Sequence, residues 1–349
     1  MNWEENVRRV VPYVPGEQPV ENDIIKINTN ENPYPPAPGV EKLLKDYDCK
    51  ALKLYPDTAS TVLVEELASY YHVKPAQIFV GVGSDDVLSM AFLTFFNSKK
   101  PILFPDVTYS FYDVWADLYR IPYKTCPLDA DFKIGAEDYK QENGGIIFPN
   151  PNAPTGVYES LELIEEILQA NPDVVVIVDE AYIDFGGKSC LPLIEKYDNL
   201  LVVQTFSKSR SMAGMRIGFA LGNEKLIGYL EDVKFSFNSY TMNPLSQILG
   251  AEAVRDGAYF EECNQKIVAT RERVKEQLRE LGFTFPDSMT NFIFAKHNTM
   301  AGADIFEALK AKKIHVRHWN KDRISDYLRI SIGTDEQMDA LITALREIV

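Results

Sequence analysis

The sequence predicts an α/β fold: a large domain with a mostly parallel sheet covered by helices, followed by a smaller α+β domain. Three observations carry this. The runs at 174–178 and 201–203 are continuously apolar, as strands buried on both faces are. Such runs alternate along the chain with stretches whose apolar residues recur at helical spacing. After Pro244 the pattern changes to long helical stretches and short strands of mixed polarity. A length of 349 residues suits two cores better than one.

The first forty residues are rich in Pro, Asn and Gly and read as an irregular arm. From Thr61, the residues Leu63, Leu67 and Tyr71 mark one face of a helix. Ile78-Phe79-Val80-Gly81-Val82 reads as a strand, Gly83 as a turn, and Ser84 as the N-cap of a helix. Pro101-Ile102-Leu103-Phe104 is a strand, 111–118 a helix, Gly145-Ile146-Ile147-Phe148 a strand and 160–170 a helix. Strands at 174–178, 201–205 and 217–220 complete the apolar set. One helix is predicted from Pro244 to Arg255, and a longer one from Tyr259 to a stop at Gly282. Strands at 291–295 and 328–332 and an amphipathic helix at 338–348 follow. The expected boundaries are 1–40 for the arm, 41–254 for the large domain and 255–349 for the small one.

Composition narrows the function. With 46% hydrophobic and 25% charged residues this is an ordinary soluble globular chain. Its 36 basic against 51 acidic residues give a net charge of −15, which argues against nucleic acid or an anionic membrane as partner. A local arginine cluster still attracts a small anion at short range. Cys49, Cys126, Cys190 and Cys263 have no CxxC spacing and read as buried thiols of a reducing compartment. The first residues lack the basic start and apolar core of a signal peptide, and no apolar run reaches membrane-spanning length. The expected location is the cytoplasm.

Chemistry concentrates at two strand ends. The 201–205 strand runs into Thr205-Phe206-Ser207-Lys208, with Arg216 eight positions further on, after Gly214. The 174–178 strand runs into Asp179-Glu180-Ala181-Tyr182. Ligands of α/β proteins sit at such ends. Singly, each residue has an ordinary reading as a surface lysine or a helix cap. As an ordered set they answer the needs of pyridoxal phosphate. An amine must condense with its aldehyde, a carboxylate must hold the proton on its ring nitrogen, a phenol can hold its ring oxygen, and a cation with hydroxyls can hold its phosphate. Lys208, Asp179, Tyr182, Arg216, Thr205 and Ser207 offer these groups. Here the chain resembles the class II aminotransferases, pyridoxal-phosphate enzymes of fold type I.

The resemblance extends to further segments. Gly81-Val82-Gly83-Ser84-Asp85-Asp86 joins a strand to a helix, so the Ser84 and Asp85 amides are placed to hold the cofactor phosphate. A dinucleotide turn would need a third glycine where Asp86 stands. Tyr109 matches the aromatic residue that stacks on the pyridine ring. Asn150-Pro151-Asn152-Ala153-Pro154-Thr155-Gly156 is similar to the family's N-P-N-N-P-T-G, with Ala153 where the family has its contacting Asn; Asn152 is the candidate replacement. Tyr55, before Pro56, resembles the tyrosine that reaches across a dimer to the neighbouring phosphate. In 328–332, Leu328, Ile330 and Ile332 share one face, so Arg329 projects from the other. Arg329 matches the family's substrate-carboxylate arginine, and Arg317 resembles a second one. His315 and His318 have no visible third ligand, so no metal site is read.

The arm Ile27-Asn28-Thr29-Asn30-Glu31-Asn32-Pro33-Tyr34 is similar to the L-N-x-N-E-N-P-Y arm of the histidinol-phosphate aminotransferases, which marks Asn32 as a substrate-side residue. The resemblance spans nearly the whole chain. It implies a homodimer with shared active sites, an arm joined to the small domain, and ping-pong transamination between histidinol phosphate and 2-oxoglutarate, with glutamate as product. Lys208 would be the catalytic amine. Rival readings are an aromatic aminotransferase, a threonine-phosphate decarboxylase, or a non-catalytic pyridoxal-phosphate-binding regulator.

Overall fold

The structure is a computed structural model that describes residues 3–19 and 23–349; residues 1–2 and 20–22 of the arm lie outside it. The arm contributes β1 (Ile25–Lys26), followed by α1 (Pro38–Asp46) and α2 (Thr61–Tyr71). Then come β2 (Ile78–Gly81), α3 (Ser84–Phe95), β3 (Ile102–Pro105), α4 (Tyr112–Tyr119) and β4 (Tyr123–Cys126). Next are β5 (Ile146–Pro149), α5 (Leu161–Ala170), β6 (Val176–Asp179), β7 (Leu200–Thr205) and β8 (Gly218–Gly222). Three helices follow: α6 (Glu224–Phe237), α7 (Pro244–Arg255) and α8 (Gly257–Glu280). The C-terminal part holds β9 (Phe283–Thr284), β10 (Phe292–His297), α9 (Gly302–Ala311), β11 (Ile314–His315), β12 (Arg317–His318), β13 (Tyr327–Ser331) and α10 (Asp335–Ile348).

Seven strands among the described residues form one sheet in the order β2-β8-β7-β6-β5-β3-β4. From β7 to β4 the neighbours are parallel, whereas β8 runs antiparallel to both β7 and β2. Alternate residues of one strand pack on opposite faces. Ile146, Phe148, Val176 and Val178 meet Ile164 and Ile167 of α5. Ile147, Ile177, Leu201 and Val203 meet Leu88 and Phe92 of α3, Trp115 of α4 and Leu230 of α6. Burial on both faces is why these strands stay apolar until their last residues, Asp179 in β6 and Gln204 and Thr205 in β7.

The structure departs from the sequence reading in specific places. β4 is unforeseen because it is an edge strand whose Tyr123, Lys124 and Thr125 are exposed. α1 and α6 are also unforeseen, and α6 carries only a weak apolar stripe. Ser84 is the first residue of α3 rather than its cap, a place taken by Gly83, and the side chain that closes the turn is Asp86, accepting from Val82 N–H at 2.9 Å. Cys49 is exposed, while Cys126, Cys190 and Cys263 are buried.

A second sheet, β12-β13-β10-β9, packs Phe292, Ile293, Leu328 and Ile330 against α8, α9 and α10. The arm reaches this part of the chain. β1 pairs in parallel with β11, and Ser331 N–H donates to the Ile27 carbonyl at 3.0 Å. His315 and Arg317 thus lie in two separate short strands, one joined to the arm and one to β13.

Gly81 and Gly218 are paired residues of β2 and β8. A Cβ on Gly218 would collide with the backbone of Gly83 and Ser84, so glycine here lets the turn into α3 lie against β8. Gly228 in α6 has open space around it. Gly218→Ala should therefore destabilise the protein by about 1–3 kcal/mol, whereas Gly228→Ala should stabilise it by about 0.5–1 kcal/mol. Urea unfolding of the two variants measures both, and equal effects would contradict this packing.

Candidate active site

The site begins where β7 ends. Thr205 Oγ accepts from Ser207 N–H at 3.1 Å and donates to the Ile217 carbonyl at 3.2 Å, so the chain bends immediately after the strand. The bend delivers Lys208. Asn32 holds it from the arm, donating from Nδ2 to the Lys208 and Ser209 carbonyls at 3.0 and 3.3 Å. Ser209 Oγ donates to Asp184 Oδ2 at 2.5 Å, tying this bend to the segment after β6. Lys208 Nζ lies 3.1 Å from the Thr29 carbonyl and 5.6 Å from the Tyr182 ring centre. It lines two adjoining cavities, together with Tyr109, Ala153 and Tyr182.

The inner cavity, about 120 Å³, is also lined by Asp179, Ser84, Asp85, Thr205, Ser207 and Arg216. Asp179 is only 4% exposed. Burial pushes its carboxyl up to about 6, against the pull of the Tyr112 hydroxyl, which donates to Oδ2 at 3.0 Å, and of Ala181 N–H at 3.2 Å. It has no cationic ion-pair partner among the described residues. Tyr182 accepts from Asn30 Nδ2 at 2.9 Å, which leaves the phenol its own proton to donate. Arg216, in the left-handed region at φ 51°, sets its guanidinium 3.5 Å from Ser207 Oγ and 3.1 Å from Asp85 Oδ2. A Cβ on Gly83 would strike that guanidinium, so the glycine keeps room for it. Tyr109 donates to the other Asp85 oxygen at 2.7 Å, which fixes its ring in the cavity wall.

The outer cavity, about 220 Å³, holds Arg317, Arg329, Trp319 and Tyr13. Arg329 donates to the Asn28 carbonyl at 3.0 Å, and its Nε is shut off from solvent without a partner. Burial and the neighbouring Arg317 hold its pKa below the usual guanidinium range. Neither arginine has a carboxylate ion-pair partner among the described residues. Both guanidiniums therefore line the outer cavity with positive charge that no acidic side chain among the described residues neutralises.

Three of the residues that the sequence pointed to fall outside these cavities. Asn152 is turned into its own loop, donating to the Val107 carbonyl at 2.9 Å and Thr155 Oγ1 at 3.0 Å and accepting from Thr108 at 3.1 Å; Ala153 lines the cavities instead. Asn32 acts on the Lys208 backbone. Tyr55 is 82% exposed and rests on Tyr240, with ring centres 4.6 Å apart. Other residues escape sequence reasoning. Tyr112 sits among apolar residues of α4 and reads as core; Asn30 hides inside the arm motif; Trp319 and Tyr13 carry no local pattern.

Comparison with known proteins places the chain in a family. The aminotransferase class I and II family matches residues 22–345. The chain belongs to this family of pyridoxal-phosphate-dependent enzymes. Within it, the chain is 54% identical over 347 residues to a histidinol-phosphate aminotransferase of Lactococcus lactis subsp. cremoris, covering 99% of this chain and 98% of that one. It is 49% identical over 346 residues to one from Chromohalobacter salexigens, at 99% and 98% coverage. A Sinorhizobium meliloti histidinol-phosphate aminotransferase solved with pyridoxal 5′-phosphate shares the fold at TM-score 0.85 and 24% identity, covering 93% of this chain and 90% of that one. A Porphyromonas gingivalis L-threonine-O-3-phosphate decarboxylase shares it at TM-score 0.79 and 20% identity, covering 93% and 99%.

The donor set of the inner cavity fits the cofactor. An amine, a buried carboxylate with no ion-pair partner among the described residues, a phenol, an aromatic wall and a guanidinium beside hydroxyls at a helix N-terminus match its aldehyde, ring nitrogen, ring oxygen, ring face and phosphate. The buried carboxylate also makes stability depend on pH. The folded pKa of Asp179 lies above its unfolded value, so between about pH 4 and 6 the native state binds more protons. Stability from this group is present at low pH and lost as pH rises through about 6. In urea unfolding of cofactor-free protein, wild type should lose roughly 1 kcal/mol relative to Asp179→Asn between pH 5 and pH 8. A difference independent of pH would contradict the assigned environment.

Proposed function

We propose that the chain catalyses transamination between histidinol phosphate and 2-oxoglutarate, with glutamate as product, in histidine biosynthesis. The observation that carries this is the pair Arg317 and Arg329. Two guanidiniums without carboxylate partners face the cavity that also contains Lys208. They suit a phosphate on one substrate and a carboxylate on the other. The names of the relatives that are about half identical over nearly full length support the substrate.

Pyridoxal phosphate, when bound, supplies the aldehyde that accepts the amino group and a ring that takes up the electron pair from substrate Cα. Asp179 holds the proton at the ring nitrogen. Tyr182 donates to the ring oxygen, and Tyr109 covers one face. Arg216, Ser207, Thr205 and the first amides of α3, at Ser84 and Asp85, hold the phosphate. Lys208 Nζ takes the proton from substrate Cα. Asn32 sets the Lys208 backbone, and Arg329 and Arg317 fix the substrate so that its Cα–H meets the amine.

We also propose a homodimer in which Tyr55 serves the neighbouring subunit's phosphate. Its exposure, and that of Leu54, Phe237 and Tyr240, supports this. The division proposed is an arm at 1–40, a large domain at 41–254 and a small one at 255–349, in a cytoplasmic protein.

Lys208→Ala should abolish turnover of histidinol phosphate with 2-oxoglutarate. Arg329→Gln should raise KM for both substrates by about 10–100-fold. Glutamate release in a coupled assay reads both. Normal turnover by the first variant, or release of CO2 from threonine phosphate in place of glutamate formation, would refute the reading.

A further inference from the structure

We propose that Trp319 is a positioning residue that holds Arg317 and Arg329 apart and directed at one shared anion, making it a determinant of affinity for both substrates. This rests on the anion-binding reading of the two arginines given above.

Arg317 and Arg329 are directly paired residues of the antiparallel strands β12 and β13. Like charges opposite each other repel. Proteins ordinarily relieve such a pair with a carboxylate. Here the outer cavity contains Asp106 and Asp322, yet neither makes an ion pair with these arginines, and Asp106 is bound to Arg323 at 2.6 Å. What lies against both guanidiniums is an indole. The Trp319 ring is 5.3 Å from the Arg317 guanidinium carbon and 5.2 Å from that of Arg329. The Arg329 group is also 5.4 Å from the Phe292 ring.

An aromatic face attracts a cation within about 6 Å of its centre. Unlike a carboxylate, it does so without accepting the in-plane N–H groups. The terminal N–H groups other than the one on the Asn28 carbonyl stay available for a phosphate or carboxylate, while the repulsion between the arginines is offset. The indole is itself anchored, edge-on to Phe294 at 6.5 Å, and Phe294 is stacked on Tyr327 at 4.4 Å. The chain thus places one uncharged platform against two cations where an acid would have occupied their donors.

The test compares Trp319→Leu and Trp319→Phe in the holoenzyme. The leucine variant should raise KM for histidinol phosphate and for 2-oxoglutarate by about tenfold while kcat stays within about threefold. The calorimetric Kd of glutarate, a dicarboxylate that cannot react, should rise in parallel. Trp319→Phe, which keeps an aromatic face, should recover most of the loss. Unchanged KM and glutarate Kd in the leucine variant, or a fall in kcat with KM unchanged, would overturn the proposal. If Arg329→Gln raises KM while Trp319→Leu does not, only the role of Trp319 falls. If Arg329→Gln leaves KM unchanged, the anion site itself falls. Should Trp319→Leu fail to fold, Trp319→Gln decides by calorimetry: a glutarate Kd raised about tenfold against Trp319→Phe supports the proposal, and equal Kd values in the two variants overturn it.

Discussion

A buried carboxylate with no ion-pair partner and a half-buried guanidinium with no carboxylate partner, among the described residues, line one pair of cavities joined at Lys208. Unmatched charges of this kind are costly to fold around. They persist because each is held away from the other. Asp179 is fixed by the Tyr112 hydroxyl and the Ala181 N–H, while Arg329 is fixed by the Asn28 carbonyl and two aromatic rings. Neither can swing to neutralise its counterpart. In the proposed reaction the ring nitrogen of the cofactor matches the first and an anionic substrate matches the second. Stability not realised in the ligand-free protein becomes binding and orientation when both ligands arrive.

The fold makes this arrangement from distant parts of the chain. Parallel register puts Asp179 beside Val203, so the end of β6 and the bend after β7 open on one side of the sheet. Antiparallel β8 returns the chain to the turn that begins α3, and Gly218 allows the close approach. β13 carries Arg329. The arm, paired with β11 and bonded to Ser331, lays Asn28, Thr29, Asn30 and Asn32 against Arg329, Lys208 and Tyr182.

What the sequence disclosed, and what it withheld, follows from locality. Doubly buried strands announce themselves by apolar runs, so the ends of β6 and β7, and with them Asp179 and Lys208, were legible. Arg329 was legible from the alternation of its strand. β4 was not, because an edge strand need not be apolar. Residue chemistry favours Asn152 over Ala153, yet loop geometry turns the asparagine inward to satisfy its own backbone and leaves alanine at the cavity. Tyr112 looks like any core aromatic until the tertiary structure sets its hydroxyl on Asp179. Trp319 matters through two side chains on different strands, a relation with no fixed spacing.

The most direct measurement is to load the protein with pyridoxal phosphate, reduce it with borohydride and map the labelled peptide. One cofactor per chain is expected, fixed to Lys208, with labelling lost when histidinol phosphate is added before reduction. A label on another lysine, or none, would contradict the role given to Lys208 and the site built around it.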